Sequence, residues 1–173
     1  MNDKRHGKGK IYYNNENIKC EGDFVNDKFE GNGKYIFEDG EYYIGQFKNG
    51  LRNGKGTVYY KNGNIMYVGD FVNDKAEGNG KYIYENGDYY IGQLKNDLSH
   101  GKGIEYYSNG NIKYKGDWIN DKPEGNGKYI WEDGEYYIGQ FKNGLSHGKG
   151  IEYYANGNIK LKGKWKDDKY IGN

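Results

Sequence analysis

Seven glycines recur along the chain at steps that alternate between about 23 and about 24 residues, each flanked at two residues' distance by apolar, mostly aromatic, side chains. They are Gly22, Gly45, Gly69, Gly92, Gly116, Gly139 and Gly163. The phrase YYIGQFKNG stands at Tyr42–Gly50 and again at Tyr136–Gly144, with the near copy YYIGQLKND at Tyr89–Asp97. Self-similarity at a fixed period is the signature of a repeat architecture. A catalytic site needs its residues only once, so this spacing predicts a repeated structural unit.

The residues within each repeat predict strands. Short aromatic and β-branched runs alternate with Asn-Gly or Asp-Gly pairs, and no segment shows the apolar period of a helix. Such runs closed by these turn dipeptides are typical of β-hairpins. We therefore expect an all-β protein, an elongated single-layer twisted antiparallel sheet of stacked β-hairpins.

The glycine spacing also sets the expected repeat boundaries within one array over residues 1–173. We expect a partial repeat at 1–19, complete repeats at 20–42, 43–66, 67–89, 90–113, 114–136 and 137–160, and a partial repeat at 161–173. The longer units have one extra residue between the turn glycine and the next glycine. This residue predicts either a longer loop or a β-bulge in that connection.

Alternation along a strand divides the side chains between two faces. Residues two apart share a face, so Tyr43, Gly45 and Phe47 point one way and Tyr42 points the other. The glycine leaves a gap that a neighbouring ring can fill, and we therefore assign the seven recurring glycines a structural role. Strict alternation also points Glu105 and Glu152 toward the core aromatics, at the place that Val58 takes in another copy.

Composition and charge narrow the classes of protein to which the chain can belong. The chain has 21 Tyr and an aromatic fraction of 17%, although its mean hydropathy is −1.18. Its formal net charge of +1 does not favour a nucleic-acid binder, which would carry a strong basic patch. The one cysteine, Cys20, fits a reducing compartment and predicts a cytoplasmic location. Because Cys20 takes the place of Tyr67 and Tyr114, we expect it to fill the core.

The recurring polar residues do not predict catalysis. His6, His100 and His147 occupy one repeat position, whereas catalytic residues need unique neighbours. The recurring Gly-Lys-Gly lacks the spacing of a phosphate-binding loop, and no His/Cys cluster has metal-ligand spacing. We expect no catalytic, cofactor-binding or metal-binding residues, and no enzyme activity.

The repeats resemble a known family. The run from Tyr43 to Gly50 followed by Gly54-Lys-Gly56 is similar to the MORN repeat (membrane occupation and recognition nexus). The pattern YYxNGxIKxxG of the alternate units resembles the bacterial-style variant of that repeat. The resemblance covers essentially the whole chain, apart from departures such as Asp97 in place of a turn glycine. It implies stacked hairpins and roles as scaffolds, in cytoskeletal and ciliary assemblies, as targeting modules beside catalytic domains, and in phospholipid contacts.

These observations together favour a non-enzymatic scaffold or targeting module that mediates protein–protein interaction. Rows of tyrosines at equal repeat positions are the candidate partner-binding residues: Tyr42, Tyr89, Tyr136, Tyr59, Tyr106 and Tyr153. The alternative is that these rings only cover the second face of a thin sheet.

Three further alternatives stay open. One is a peripheral phospholipid-binding module, since Lys48, Lys95 and Lys142 form a row that could contact anionic lipid. Another is an accessory repeat segment of a larger enzyme. Open sheet edges also predict self-association, and the resemblance implies attachment to the cytoskeleton or to a membrane.

Overall fold

A computed structural model describes residues 4–173. These residues form fifteen strands and no helix, so the all-β prediction is confirmed. It follows that the described residues include no helix long and apolar enough to cross a membrane. The chain divides into two compact units, Met1–Ile83 and Tyr84–Asn173.

The first unit contains seven strands and the second contains eight. The strands of the first unit are β1 (Gly7–Tyr12), β2 (Ile18–Val25), β3 (Lys28–Ile36), β4 (Tyr42–Lys48), β5 (Leu51–Tyr59), β6 (Ile65–Val72) and β7 (Lys75–Ile83). Those of the second unit are β8 (Tyr89–Lys95), β9 (Leu98–Tyr106), β10 (Ile112–Ile119), β11 (Lys122–Ile130), β12 (Tyr136–Lys142), β13 (Leu145–Tyr153), β14 (Ile159–Lys166) and β15 (Lys169–Gly172).

Pairing follows the chain in both units. From β1 to β7, each strand lies antiparallel to the next. The same holds from β8 to β15. The prediction of an antiparallel sheet of stacked hairpins is therefore confirmed in each unit.

Short turns with left-handed backbone join the strands. Between β4 and β5, Asn49 and Gly50 both have positive φ, 55° and 85°. Two left-handed central residues match the twist of the flanking strands, which explains the Asn-Gly pairs in the sequence. Asp97 has φ of 71° in the matching turn between β8 and β9. Aspartate tolerates this conformation, so the departure from glycine leaves the turn intact.

A row of glycines crosses each sheet. Gly92 pairs with Gly103 and Gly103 pairs with Gly116 in neighbouring strands. The ring of Tyr90 lies against Gly92 and Gly103. A Cβ added to Gly92 would lie only 2.6 Å from Tyr90 Cζ and from Gly103 Cα. The gap beside the glycine is therefore filled by a tyrosine of the same strand. Strand side chains lean along their strand, which brings Tyr90 over the glycine two residues later.

The core lies on the face of each sheet that these rings cover. Four tyrosines are fully buried there: Tyr43, Tyr90, Tyr114 and Tyr137. The Tyr43 ring makes edge contacts with Phe47 and Phe71, both at 5.1 Å between centroids. Its hydroxyl donates to the Gln46 carbonyl at 3.0 Å, and burial raises the pKa of Tyr43 to about 12.

Cys20 is the exception in this core. It is buried, as the sequence predicted. A cysteine is too short to cover the neighbouring Gly22, and the Phe29 ring lies there instead, against both Gly22 and Gly33.

The extra residue of each longer repeat is a β-bulge. Val58 pairs with Tyr67 while Tyr59 pairs with Ile65, so Met66 has no opposite residue. Lys113 likewise has no opposite residue in the β9–β10 pairing. The β3–β4 pairing, which belongs to a shorter repeat, has no such shift. Of the two expected solutions, a longer loop or a bulge, the structure has the bulge.

Candidate interaction face

The face opposite the core, called the outer face below, carries the predicted tyrosines. The structure brings them together in three cross-strand pairs. Ring centroids are 4.6 Å apart and the rings nearly parallel in each pair: Tyr42 with Tyr59, Tyr89 with Tyr106, and Tyr136 with Tyr153. The sequence placed these residues in rows but did not predict that the rows stack pairwise.

The tyrosine pairs are half-buried rather than free. Lys34 Nζ lies 4.4 Å from the ring centroid of Tyr42, and Lys128 Nζ lies 4.0 Å from that of Tyr136. An ammonium group over an aromatic face is attracted by the ring's quadrupole. These contacts thus fix the stacked pairs in the unbound protein.

Aliphatic side chains two residues further along the strands are more exposed, and the sequence reasoning missed them. Ile44, Ile91 and Ile138 are 44%, 43% and 44% exposed. Each lies on the same face as the tyrosine two residues before it, so alternation from Tyr42, Tyr89 and Tyr136 could have found them. Together with the tyrosine pairs they form a repeated apolar surface.

A groove of about 760 Å³ lies on the outer face of the second unit. Its floor is backbone of the glycine row, and its side chains include three isoleucines and three lysines. These side chains are Ile91, Ile104, Ile138, Lys102, Lys115 and Lys128. The groove therefore combines apolar walls with positive charge.

The bulges of the second unit hold ion pairs on the core side. Lys113 Nζ lies 3.0 Å from Glu105 Oε1 and 3.4 Å from Asp88 Oδ2. Lys160 Nζ lies 2.9 Å from Glu152 Oε1 and 2.5 Å from Glu135 Oε2. Glu105 and Glu152 thus do turn toward the core side, as alternation predicted, and a bulged lysine neutralises each.

The pKa of Lys113 reflects this site. Burial alone would lower that pKa, but the hydrogen bond and charge of Glu105, with Asp88 adding to them, raise it above the ordinary lysine value. The hydrogen bonds that Lys160 donates to Glu135 and Glu152 raise the pKa of Lys160 as well. Both lysines are therefore charged at neutral pH, and the clusters act as ion pairs rather than as proton-transfer groups.

The histidines lie apart from these clusters. His147 Nδ1 lies 3.3 Å from Asp167 Oδ1, whereas His100 Nδ1 is buried without a hydrogen-bond partner. Within residues 4–173, no group of three or more His, Cys, Asp or Glu side chains is placed to hold a metal ion.

Comparison with protein families agrees with this geometry. The glycine row, the rings against it and the stacked hairpins define a β-hairpin repeat protein. The model of the MORN repeat matches six segments, at residues 20–42, 43–65, 67–89, 90–112, 114–136 and 137–159. The model of the MORN repeat variant matches residues 5–26. The chain belongs to the MORN-repeat family.

A search of curated proteins found no match. At family level, MORN repeats are commonly protein- or lipid-interaction modules, and they are generally non-catalytic.

Proposed function

We propose that this chain is a non-enzymatic interaction module that binds a protein partner through its outer face. The observation that supports the proposal is the repeated pairing of an exposed isoleucine with a stacked tyrosine pair. Ile44 accompanies Tyr42 and Tyr59 in the first unit. Ile91 and Ile138 accompany the two matching tyrosine pairs in the second unit.

The energetics favour binding through many small contacts. Covering apolar surface stabilises a complex by roughly 25 cal/mol per Å². One partly exposed isoleucine therefore contributes little, but a partner that covers several repeats adds the contributions together. Tyrosine is well suited to such a face because a rigid ring gives contact area at low cost in conformational entropy.

The test compares two triple variants in affinity capture from source-cell lysate at physiological salt, analysed by mass spectrometry. The first variant carries Ile44→Ser, Ile91→Ser and Ile138→Ser. The control carries Val25→Ser, Val72→Ser and Ile119→Ser, which removes equally exposed aliphatic side chains at the ends of strands. Circular dichroism first establishes that both variants remain folded.

We expect the wild type and the control to retain the same protein partner and the isoleucine variant to lose it. Equal loss in both variants would show general hydrophobic adhesion and contradict the proposal. Sedimentation with phosphatidylserine vesicles is the parallel measurement. Vesicle binding that depends on the isoleucines, with no protein retained, would favour the lipid-binding alternative instead.

A further inference from the structure

The groove of the second unit contains two opposed lysines that no acidic residue of its lining neutralises, although Lys128 also lies over the ring of Tyr136. Lys115 on β10 lies directly opposite Lys128 on β11. Like charges opposite each other in a sheet are destabilising. Both lysines line the groove, and no acidic residue lines it. Lys102, the third lysine, is paired with Asp117.

The matching position in the first unit shows that this conflict is not required by the fold. There the opposed residues are Glu21 with Lys34, an attractive pair, and Val68 with Lys81. The same backbone therefore accepts glutamate or valine where β10 has Lys115. Opposed lysines also occur at Lys149 with Lys164 and at Lys166 with Lys169, but only the pair of Lys115 and Lys128 lines the groove. An anion placed between these two lysines would remove their repulsion.

The walls on both sides of the lysine pair are apolar. Ile104 pairs with Lys115 on one side, and Ile138 pairs with Lys128 on the other. The order across β9 to β12 is therefore aliphatic, lysine, lysine, aliphatic. A complementary ligand carries an acidic group between two aliphatic groups.

The dimensions favour an extended peptide. Neighbouring strands lie about 4.8 Å apart, so three steps from Ile104 to Ile138 span about 14 Å. Four residues of extended chain span a similar distance, at about 3.4 Å per residue. The groove itself lies above the glycine row, between side chains that are two residues apart along each strand on the outer face. Its width is therefore roughly 7 Å. It is too narrow for a helix about 10–12 Å wide.

We propose that this groove, Ile91 to Gly139 on β8–β12, binds an extended acidic segment of a protein partner. The segment carries Asp or Glu two residues away from an aliphatic residue on each side. The carboxylate lies between Lys115 and Lys128, and the aliphatic side chains lie against Ile104 and Ile138. The inference rests on the proposed function and names the partner's chemistry at one part of the outer face.

The experiment is selection of displayed random peptides of about twelve residues, long enough for one extended recognition motif. The selection is run on the wild type, on Lys115→Glu and on Lys95→Glu. Lys115→Glu recreates the pairing of Glu21 with Lys34, so we expect it to fold. Lys95→Glu changes the net charge equally at an exposed position that does not line the groove. Dissociation constants of enriched peptides are then measured by fluorescence anisotropy.

We expect the wild-type and Lys95→Glu pools to be enriched in the aliphatic-x-acid-x-aliphatic pattern. We expect Lys115→Glu to bind those peptides at least about tenfold more weakly, because a charge pair is replaced by repulsion. Equal binding by Lys115→Glu, or no enrichment of acidic residues over the unselected library, overturns the inference. Binding to phosphatidylserine vesicles that only Lys115→Glu loses, without peptide enrichment, also overturns it.

The two proposals can fail separately. A partner captured through the exposed isoleucines, with no acidic peptides selected, leaves the interaction module standing and removes only the acidic segment. Failure of both the capture and the selection removes both proposals.

Discussion

The bulge at Met66 in the first unit and the bulges at Lys113 and Lys160 in the second unit differ in chemistry although their register shift is the same. Around Met66 the neighbouring Val58 is buried and both side chains are apolar. Around Lys113 the neighbour is Glu105, and a second carboxylate, Asp88, completes the cluster. Lys160 repeats that arrangement with Glu152 and Glu135.

The difference shows that the backbone sets where the bulged side chain goes, while the side chains around it decide what the site contains. A bulge redirects a side chain that strict alternation would place elsewhere. Met66 occurs with Val58, and both bulged lysines of the second unit occur with a glutamate. The bulged Lys19 of the first unit occurs with Ile11, and its Nζ lies 5.2 Å from the ring centroid of Tyr13.

The largest loss of stability is expected from a substitution in the glycine row, which both units share. Gly92→Ala places a methyl group against the Tyr90 ring and the Gly103 backbone. We expect a loss of about 2–3 kcal/mol in the free energy of unfolding, as for other overpacked cores. Urea unfolding followed by circular dichroism measures this loss.

Gly9→Ala is the matched control from the same type of row. Gly9 pairs with Gly22, but its added methyl group would be 3.5 Å from the Phe24 ring, an ordinary contact. We expect its stability to stay within about 1 kcal/mol of the wild type. Equal losses for the two variants would show that the ring beside Gly92 does not restrict the site.

The next largest effect is expected from moving charge into the apolar bulge. Val58→Glu buries a carboxylate beside Met66, and we expect a cost of about 2–3 kcal/mol for an unpaired polar group. Adding Met66→Lys should restore at least about half of that loss by supplying the ion pair. Thermal unfolding of both variants is the measurement, and a double variant no more stable than Val58→Glu would contradict the equivalence of the bulges.

The reverse exchange should cost less because the ion pair is not fully buried. Glu105→Val leaves Lys113 with Asp88 alone, and we expect a loss of about 1–2 kcal/mol. Combined with Lys113→Met it recreates the apolar bulge, and we expect stability within about 1 kcal/mol of the wild type. A double-mutant cycle measures the coupling, and strictly additive losses would contradict a direct interaction between Glu105 and Lys113.

The smallest effect is a pH dependence that separates the two kinds of bulge. The pKa of Lys113 is raised in the folded protein, so its stabilising contribution is fully present below the pKa of unfolded lysine, about 10.4. The contribution is lost as the pH rises through the higher folded pKa. From neutral pH upward, the stability difference between the wild type and Glu105→Val/Lys113→Met should therefore change only at alkaline pH.

Buried tyrosines titrate in the same range but are common to both proteins. Burial raises the pKa of Tyr43 and Tyr90 to about 12. Since the neutral form is favoured in the folded state, both proteins lose stability between about pH 10, the pKa of unfolded tyrosine, and pH 12. That loss cancels in the difference, which is measured by urea unfolding at a series of pH values. A difference that changed between about pH 7 and pH 9 would contradict the assignment to lysine.

The sequence predicted most of the framework. Turn dipeptides such as Asn49-Gly50 and alternation around Gly45 were enough to predict hairpins, faces and the buried tyrosines, because these depend on local backbone preference and a period of two. The repeat boundaries and the cytoplasmic location stay predictions. The role of the six tyrosines in partner binding also stays a prediction, although the structure pairs them by stacking.

What the sequence by itself determined is the repeat, the strand pattern and the family, since each is written within a stretch of about 23 residues. Only the tertiary structure decided which residues meet across strands. Register places Lys115 opposite Lys128, and the bulge carries Lys113 to Glu105 and Asp88. These contacts depend on the register between neighbouring strands, and a shift of one residue would have sent each side chain to the other face.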